Sequence, residues 1–392
     1  MAEWRGAAVR VAICETVASF LTIGSLVNSG KIVGGDGGGA GLTGAPGGAG
    51  VYNSGAITTL TSSGAIRGGD GGSALVGGAG GAGIADSGTI ARLTNSGTIS
   101  GGNGGAGNFG SGGAGGAGIW NAGAIGPLAN SGTIEGGIGG KGAPSGAAGD
   151  AIYSAGPHAS IGPITNTGRI IGNVEIDNQA SVTVNGGTGK SFGSWTGGTI
   201  TIGNGDLTFV RNTALGDDIS VDGGNGTVTN MGRLRLAAPE TIAGDFTQTA
   251  AGVLVLNFAG DVSGEYGALS VTNLTTLDGR LTIRLTEGFT LTKGDSFDIL
   301  AFGSLTGNFD ALTLDGAACS SPRADIWTCG GGVRLKEVID PISLDLLVTR
   351  GSSGLGPAGS SPIPEPSTWA MLALGFLGLG GLGLKRRAAP DY

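Results

Sequence analysis

The chain contains few of the residue types on which catalysis and metal binding usually depend. Its 392 residues include one histidine, His158, and three cysteines, and charged residues make up only 13% of the sequence. A single histidine excludes a histidine-rich zinc site and argues against a serine-histidine-aspartate triad. We therefore predict a protein that is not an enzyme and that holds no metal ion or other cofactor.

Positive charge is scarce along the body of the chain. Lysine and arginine total 21 against 29 aspartates and glutamates, which gives a net charge of −8 at pH 7. A nucleic-acid-binding protein normally carries a basic stripe or patch. The cationic cluster of this sequence lies in its last residues and not in such a stripe. Nucleic acid is therefore not an expected partner.

Aromatic residues are also few, at 5%, whereas glycine accounts for 87 residues, more than a fifth of the chain. Glycine averages about 7% of protein sequences, so an ordinary mixed α/β core is not expected. The glycines lack the strict three-residue period of collagen along the chain. Isoleucine, valine and leucine recur at fixed offsets, which argues against simple disorder.

A ten-residue motif recurs in five copies in the first half of the chain. Its pattern is Ile-x-x-(Leu/Ile)-x-(Asn/Ser)-(Ser/Thr)-Gly-x-Ile, and the copies begin 34, 33, 35 and 36 residues apart. A related half-motif precedes each later copy, for example over residues 51–57. The copies begin at Ile23, Ile57, Ile90, Ile125 and Ile161.

These repeats predict an all-β fold in residues 23–173. β-Branched residues, glycine and asparagine dominate the motifs and favour strands over helices. One copy cannot bury its own apolar face, so stacked copies should align their isoleucines and leucines in a continuous ladder. The natural solution is a right-handed β-solenoid, also called a β-helix, with a period of about 34 residues.

The polar residues of the motif are expected to form the corners of this solenoid. Asparagines at the corners should hydrogen-bond with their copies in neighbouring coils. The glycine-rich segments that fill the rest of each period are either long loops or tightly packed arcs. The glycine of each motif is expected to take a positive φ; these glycines are Gly30, Gly64, Gly97, Gly132 and Gly168.

Two acidic features are candidate functional sites. Asp36 and Asp70 lie in Gly-Gly-Asp-Gly-Gly sequences that are similar to a calcium-binding nonapeptide roll, but later repeats lack the acid. We interpret both as solvated acids in glycine loops. Asp217 and Asp218 offer the paired carboxylates of a glycan-cleaving enzyme. We interpret them as a turn between strands, because Gly216 precedes them.

Cysteine usage is compatible with an oxidising compartment. Cys319 and Cys329 bracket a nine-residue, turn-like insert. We predict a local disulfide between them, and two free thiols are the alternative. Cys14 is then left without a partner in the chain and is interpreted as incidental.

The sequence changes character at about Val174. The glycine content falls, and short alternating runs such as residues 181–184 predict strands separated by Gly, Asn and Asp turns. Over about 110 residues the order and spacing of these runs resemble the C-terminal part of autotransporter-type β-helix passengers. In that family this part closes the solenoid and nucleates its folding. The resemblance implies a capping β domain over residues 174–349, followed here by a Gly/Ser/Pro linker over 350–363 instead of a barrel.

The N-terminus does not have the pattern of an exported protein. Glu15 interrupts what would be the apolar core of a signal peptide, yet the first repeat already begins at Ile23. We expect residues 1–22 to be a truncated or mis-started segment, with a signal peptide encoded upstream.

The tail over residues 364–392 combines a turn motif, an apolar run and a basic stop. The uncharged run over 369–384 is sixteen residues long, whereas a spanning helix needs about twenty, so it predicts a short transmembrane helix that can just cross. The positive-inside bias places the basic stop in the cytoplasm and the body outside. The turn and stop residues are Pro364, Glu365, Pro366, Lys385, Arg386 and Arg387.

This order of elements resembles the PEP-CTERM sorting tail of Gram-negative bacteria. The resemblance implies export across the inner membrane, transient anchoring there, and processing by an exosortase near the Pro-Glu-Pro triplet. An ordinary membrane anchor that is never processed is the alternative. The expected partners are thus an exosortase and the inner membrane.

The sequence as a whole predicts an exported, non-enzymatic protein of the cell envelope, cell surface or extracellular matrix. The family resemblance links such tails to exopolysaccharide, so a structural or adhesive role in a biofilm is the leading hypothesis. The rod would present ladders of Ser, Thr and Asn to glycans in a multivalent manner. The alternatives are a glycan-active β-helix enzyme, a lyase or hydrolase, and an ice-binding β-solenoid.

Overall fold

A computed structural model describes residues 2–4, 22–39, 41–323 and 325–352, and nearly all of its regular structure is β. Most of the segment over residues 1–22, together with Cys14, lies outside these residues. The repeat region contains β1 (Ala2–Trp4), β2 (Thr22–Ile23), β3 (Leu26–Asn28), β4 (Lys31–Val33), β5 (Val51–Asn53), β6 (Ala56–Ile57), β7 (Leu60–Ser62), β8 (Ala65–Arg67), β9 (Ile84–Asp86), β10 (Thr89–Ile90), β11 (Leu93–Asn95), β12 (Thr98–Ser100), β13 (Ile119–Asn121), β14 (Ala124–Ile125), β15 (Leu128–Asn130), β16 (Thr133–Glu135), β17 (Ile152–Ser154), β18 (Ser160–Ile161), β19 (Ile164–Asn166) and β20 (Arg169–Ile171).

Equivalent strands of successive repeats stack in parallel. Strand β11 pairs with β7 on one side and with β15 on the other, which aligns Leu60, Leu93 and Leu128. All three leucines are fully buried. The same parallel pairing joins β5, β9, β13 and β17, and it joins β2, β6, β10, β14 and β18. The predicted solenoid with a continuous apolar ladder is confirmed, and its right-handed winding stays a prediction.

Asparagine ladders close the corners of the coils. The Nδ2 atom of Asn95 donates to Oδ1 of Asn130 at 2.8 Å, and Asn130 donates in turn to Asn166 at 2.9 Å. All three side chains are buried. The expected hydrogen bonds between copies are therefore present, and they satisfy polar groups that would otherwise destabilise the core.

The corner glycines serve a different purpose from the one predicted. The φ angles of Gly64, Gly97, Gly132 and Gly168 lie outside the left-handed region, so the expected positive φ is wrong, as it is for Gly30. A Cβ on Gly97 would overlap the carbonyl oxygen of Gly64 in the neighbouring coil. Glycine is needed because the corners stack closely, not because the chain turns through a left-handed conformation.

The stack continues past Val174, where the composition changes. Strand β17 pairs in parallel with the strand at Val174–Ile176, and β19 and β20 likewise continue into later strands. These strands are β21 (Val174–Ile176), β22 (Ser181–Asn185), β23 (Gly193–Ile202), β24 (Asp206–Phe209), β25 (Thr213–Val221), β26 (Thr227–Asn230), β27 (Arg233–Leu236), β28 (Pro239–Ala243), β29 (Asp245–Gln248), β30 (Val253–Phe258), β31 (Ala268–Leu277), β32 (Arg280–Leu285), β33 (Ser296–Gly307) and β34 (Ala311–Leu314). The expected boundary between residues 173 and 174 is thus a change of coil type within one parallel stack.

Among the described residues, antiparallel pairing between strands begins near the end of the stack, and earlier antiparallel contacts are isolated bridges. Strand β33 pairs antiparallel with the last strand, and the strands between them form hairpins on one another. These strands are β35 (Ala317–Ala318), β36 (Ser320–Arg323), β37 (Ile326–Thr328), β38 (Arg334–Ile339) and β39 (Ser343–Arg350), and short 3-10 turns lie at Asp222–Gly224 and Gly330–Gly332. Antiparallel pairing thus covers the last part of residues 174–349, and the capping function expected of that domain stays a prediction.

An aromatic cluster lies where the parallel stack meets the antiparallel cap, and the cap contains a disulfide. The ring of Phe297 stacks on Phe258 at 4.3 Å and meets Tyr266 edge-on at 5.2 Å. Cys319 and Cys329 are joined as a disulfide, with Cα atoms 4.2 Å apart. An apolar cluster thus closes the end of the core, and the cysteine pair links two neighbouring parts of the hairpin region.

The described coils belong to one compact unit, Met1–Ser352. The second unit, Ser353–Tyr392, contains the sorting motif, the predicted transmembrane helix and the basic stop, and it lies outside the described residues. Within the described residues, no helix is both long enough and apolar enough to cross a membrane.

Candidate functional site

The glycine-rich segments form a packed bundle beside the strands. In each coil an outgoing segment leaves the last strand and a returning segment leads back to the next coil. The outgoing segments are residues 34–39, 68–73, 101–107 and 136–142, and the returning segments are residues 44–50, 77–83, 112–118 and 145–150. The packed arcs are therefore the correct one of the two alternatives that the sequence left open.

A line of backbone hydrogen bonds crosses this bundle from coil to coil. The N–H of Gly69 donates to the carbonyl of Gly48, Gly81 donates to Gly69, and Gly102 donates to Gly81, each at 2.8 Å. The line alternates between outgoing and returning segments, and it continues through Gly116, Gly137 and Gly149. Two layers of segments are thereby joined along the whole repeat region.

The segments have the properties of polyproline II chains. They repeat as Gly-Gly-x, which matches three residues per turn, and their backbone hydrogen bonds run to other segments. A Cβ on Gly102 would overlap the carbonyl oxygen of Gly69, and one on Gly101 would overlap that of Gly116. In outgoing segments that have a neighbouring coil on both sides, glycine alone fits at these two positions of the triplet, so the third residue carries the side chain.

On the outgoing segments, the third residues form a ladder of their own. The N–H of Asp70 donates to Oδ1 of Asp36 at 2.9 Å, and the N–H of Asn103 donates to Oδ1 of Asp70 at 2.6 Å. Asp70 also forms an ion pair with Arg67. The acids that resembled a calcium roll thus accept hydrogen bonds from the next coil. No cluster of three candidate metal ligands occurs among the described residues.

On the returning segments, small side chains form the floor of an open groove. Its volume is about 620 Å³, and its floor includes Ala82, Ala114 and Ala117. Trp120 and Tyr153 form one edge of the groove, and among the described residues Asp150 is the one charged residue that lines it. The groove is accessible from solvent and shallow, because the glycines of its floor have no side chains.

The aromatic edge is a column created by the strand register. Tyr52 pairs with Ala85, which pairs with Trp120, and Trp120 pairs with Tyr153. Tyr52 is 43% exposed and Trp120 is 36% exposed. The next residue in the column is Glu175. Parallel strands lie about 4.8 Å apart, so the rings of Trp120 and Tyr153 are presented side by side.

Carboxylates surround the Tyr153 end of this column. Burial, and then the charges of Glu175, Asp177 and Asp150, raise the pKa of the Tyr153 phenol. Burial also raises the pKa of the Glu175 carboxyl, and the nearby charges of Asp177 and Asp150 add to this rise. The aromatic edge therefore ends in a region of negative potential.

A second acidic group lies in the later coils. Asp217 and Asp218 are in the middle of strand β25, so the predicted turn is wrong. Burial raises the pKa of Asp217 to about 6, while the N–H of Gly198 donates to it at 2.8 Å. Burial and the charges of Asp218 and Asp217 raise the pKa of Glu240 to about 7. Glu240 has no local sequence pattern that indicates this role, because stacking of the coils brings it to this position.

The ladders that we expected to present to glycans are partly inaccessible. The asparagines of the corners, such as Asn95, Asn121 and Asn130, are at most 1% exposed. They hydrogen-bond within the wall of the solenoid, so this part of the expected mechanism is wrong. The aromatic column is accessible instead. The half-motif carries an aromatic residue at one recurring position, and this recurrence is the sequence signal from which the column could have been predicted. The residues are Tyr52, Trp120 and Tyr153.

The described residues define a β-solenoid that carries a glycine-rich bundle on one side and a short antiparallel cap. The chain also carries a PEP-CTERM protein-sorting motif, and the family model matches residues 362–387. This match includes the Pro-Glu-Pro triplet and the basic stop, and it implies an exported protein that is sorted by an exosortase. No curated protein and no solved structure matches the chain.

Proposed function

We propose that the protein is a non-enzymatic structural or adhesive component of the cell surface or extracellular matrix, associated with exopolysaccharide. This proposal rests on the sorting motif at residues 362–387, which follows a rigid, stacked body in the sequence. Buried ladders and backbone lattices fix the body in one conformation. A rod of this kind is suited to present the same surface at regular intervals, which favours multivalent contact with a polymer.

Loss of the Pro-Glu-Pro triplet should block the processing of the tail. In a variant with Pro364→Ala, Glu365→Ala and Pro366→Ala, we expect full-length protein to accumulate in the inner membrane, because the processing enzyme lacks its motif while the apolar run still anchors the chain. Cell fractionation and the apparent mass of the protein measure this result. Pro357→Ala, which lies before the matched residues, is the matched control and should leave the location unchanged. An unchanged location in the triple variant would contradict the sorting role.

A glycan-active enzyme is a second candidate because of the carboxyl group pair Asp217 and Glu240. Their pKa values of about 6 and about 7 would allow one to donate and the other to accept a proton near neutral pH. Glycoside cleavage uses two carboxyl groups in these roles. Our proposal favours the structural role, because the described groove lies on another part of the chain and its wall is almost free of titratable groups.

The two candidates differ in one measurable product. We expect the purified protein to release no reducing ends from the exopolysaccharide of its host, and Glu240→Gln to behave identically. Release that is abolished in Glu240→Gln, and retained in a control Glu265→Gln at an exposed position, would overturn the non-enzymatic proposal. Ice binding would need rows of threonine on a flat face, whereas the outward residues of the returning segments include Ala79, Ala82 and Ala114.

A further inference from the structure

We propose that the groove between the returning segments and the aromatic column binds a polysaccharide that carries free amino groups. This inference rests on the proposed function in one respect, since the association with exopolysaccharide favours a glycan as the ligand. It assigns the site and the chemistry of that ligand, neither of which follows from the sorting motif. The ligand would lie along the stacking axis of the coils, across the ring faces of Tyr52, Trp120 and Tyr153.

The shape of the groove favours a flat, repeating ligand. Its floor consists of glycine and alanine, so it contains no pockets for the side chains of a peptide. The floor's glycine N–H groups are used within the bundle; for example, Gly80 donates to Ala114 and Gly115 donates to Ala147. An extended peptide would need free backbone groups at a sheet edge or specific pockets. Sugar rings instead need flat apolar surfaces, which aromatic rings supply.

The spacing of the coils favours a polymer over a single sugar. Ring positions recur at the separation of parallel strands, about 4.8 Å, with Ala85 leaving a gap between Tyr52 and Trp120. Several weak contacts along one axis add to a useful affinity only when the ligand spans them. A chain of linked sugars meets this condition, whereas a monosaccharide contacts one ring at a time.

The charges around the groove favour a cationic ligand. Asp150 lines the groove, and Glu175 and Asp177 lie near the Tyr153 ring, whereas no lysine or arginine of the described part of the chain lines the groove. Faces of tryptophan and tyrosine attract ammonium groups, and nearby carboxylates strengthen this attraction. An acidic polysaccharide such as alginate would be repelled by the same carboxylates. The combination thus selects amino sugars in their unacetylated, charged form.

The test compares three polymers on the full-length protein by affinity electrophoresis and calorimetry. We expect binding to glucosamine oligomers, much weaker binding to the same oligomers after N-acetylation, and none to alginate. Trp120→Ala should weaken the binding by roughly tenfold, in line with the loss of one aromatic–ammonium contact. Glu175→Gln should weaken the binding and reduce its dependence on salt. The control is Phe109→Ala, because Phe109 is an exposed aromatic residue (88%) that lies between an outgoing and a returning segment and does not line the groove.

The outcomes separate this inference from the proposed function. Equal binding before and after N-acetylation would overturn the amino-sugar assignment, as would equal losses in Phe109→Ala and Trp120→Ala. Equally tight binding of polylysine that Trp120→Ala weakens would instead assign the groove to a basic peptide. Unchanged unfolding of Trp120→Ala verifies that the variant is folded. A surface-located protein without affinity for these polymers refutes only the inference, whereas binding by a protein that is never exported refutes only the proposed function.

Discussion

Replacement of Gly102 by alanine is expected to destabilise the glycine bundle by at least about 4 kcal/mol, the range reached when a core position is severely overpacked. The new Cβ would overlap the carbonyl oxygen of Gly69, closer than the 3.0 Å that real Cβ contacts keep. That oxygen belongs to the backbone of a neighbouring segment, so no side-chain rotation can relieve the overlap. Movement of the backbone would break the hydrogen bonds of Gly102 to Gly81 and Gly116, both 2.8 Å long.

Gly35→Ala is the matched control for this variant. Gly35 occupies the same position of the first outgoing segment, yet a Cβ there would have no heavy atom of the described residues within 4 Å. Its φ lies outside the left-handed region. Alanine at such a site changes stability by no more than about 1 kcal/mol, and often stabilises by reducing the freedom of the unfolded chain. Both variants add the same methyl group, so a difference in stability between them measures the packing around each glycine.

Denaturant unfolding followed by circular dichroism, together with amide hydrogen exchange, measures both effects. In a stacked fold each coil contacts only its neighbours, so exchange in Gly102→Ala should rise in the second to fourth coils and less in the cap. Equal stability of Gly102→Ala and Gly35→Ala would show that the glycine segments are not packed. The exported protein would then present a loose glycine surface without a defined groove.

The sequence was sufficient to predict the parts of the fold that depend on side chains. The period that aligns Leu60, Leu93 and Leu128 is visible without any structure, because burial requires apolar residues at fixed intervals. The ladder of Asn95 and Asn130 was predictable for the same reason, since a buried amide needs its own copy as a partner. Because the motif repeats, its local pattern also predicts which residues of different coils contact one another.

The parts that depend on backbone contacts were not predictable. Gly64 and Gly97 were expected at corners with positive φ, since that is the common local reason for glycine. Their actual reason is the approach of the next coil, which has no local signature. Asp217 and Asp218 have the local pattern of a turn, but stacking on both sides keeps them in a strand. Glu240 joins them only through that stacking.

Asp86 interrupts one of the polar ladders, and this has a consequence for stability. It occupies the position of Asn53 and Asn121 in the adjacent coils. The Nδ2 atom of Asn53 donates to its Oδ1 at 2.6 Å, while its Oδ2 is buried without a hydrogen-bond partner. Burial raises the pKa of Asp86 to about 6, although the hydrogen bonds from Asn53 and Gly88 oppose the rise. The ionised form is therefore disfavoured in the folded protein.

Stability should accordingly decrease as the pH rises. The folded pKa of about 6 lies above the ordinary value of 3.8, so the folded state binds the proton more tightly than the unfolded state. The contribution is fully present below about pH 4 and is lost as the pH passes through 6. Asp217 and Glu240 have raised pKa values and act in the same direction. The wild-type protein should thus be more stable at pH 5 than at pH 8.

Asp86→Asn should stabilise the protein by roughly 2–3 kcal/mol at pH 8, since one pKa unit corresponds to about 1.4 kcal/mol. The amide keeps the oxygen that accepts from Asn53 and carries no charge. It also places an N–H donor where the unpaired Oδ2 of Asp86 lies. Asn121 uses the same donor in the next coil, where it donates to the carbonyl of Ser160 at 2.9 Å. The gain should shrink toward zero as the pH falls below the ordinary pKa of 3.8, where the wild-type carboxyl becomes protonated in both states.

Urea unfolding of the wild type and of Asp86→Asn across this pH range measures the difference in their stability. This difference reports on Asp86 because both proteins contain all the other acids. Asp36→Asn is the matched control, because Asp36 is an exposed acid that accepts from the N–H of Asp70, a bond that an amide oxygen can replace. It should change stability by less than about 0.5 kcal/mol. A constant difference between Asp86→Asn and the wild type from pH 4 to pH 8 would show that the charge of Asp86 has no role. The gain in Asp86→Asn would then come from hydrogen bonding alone.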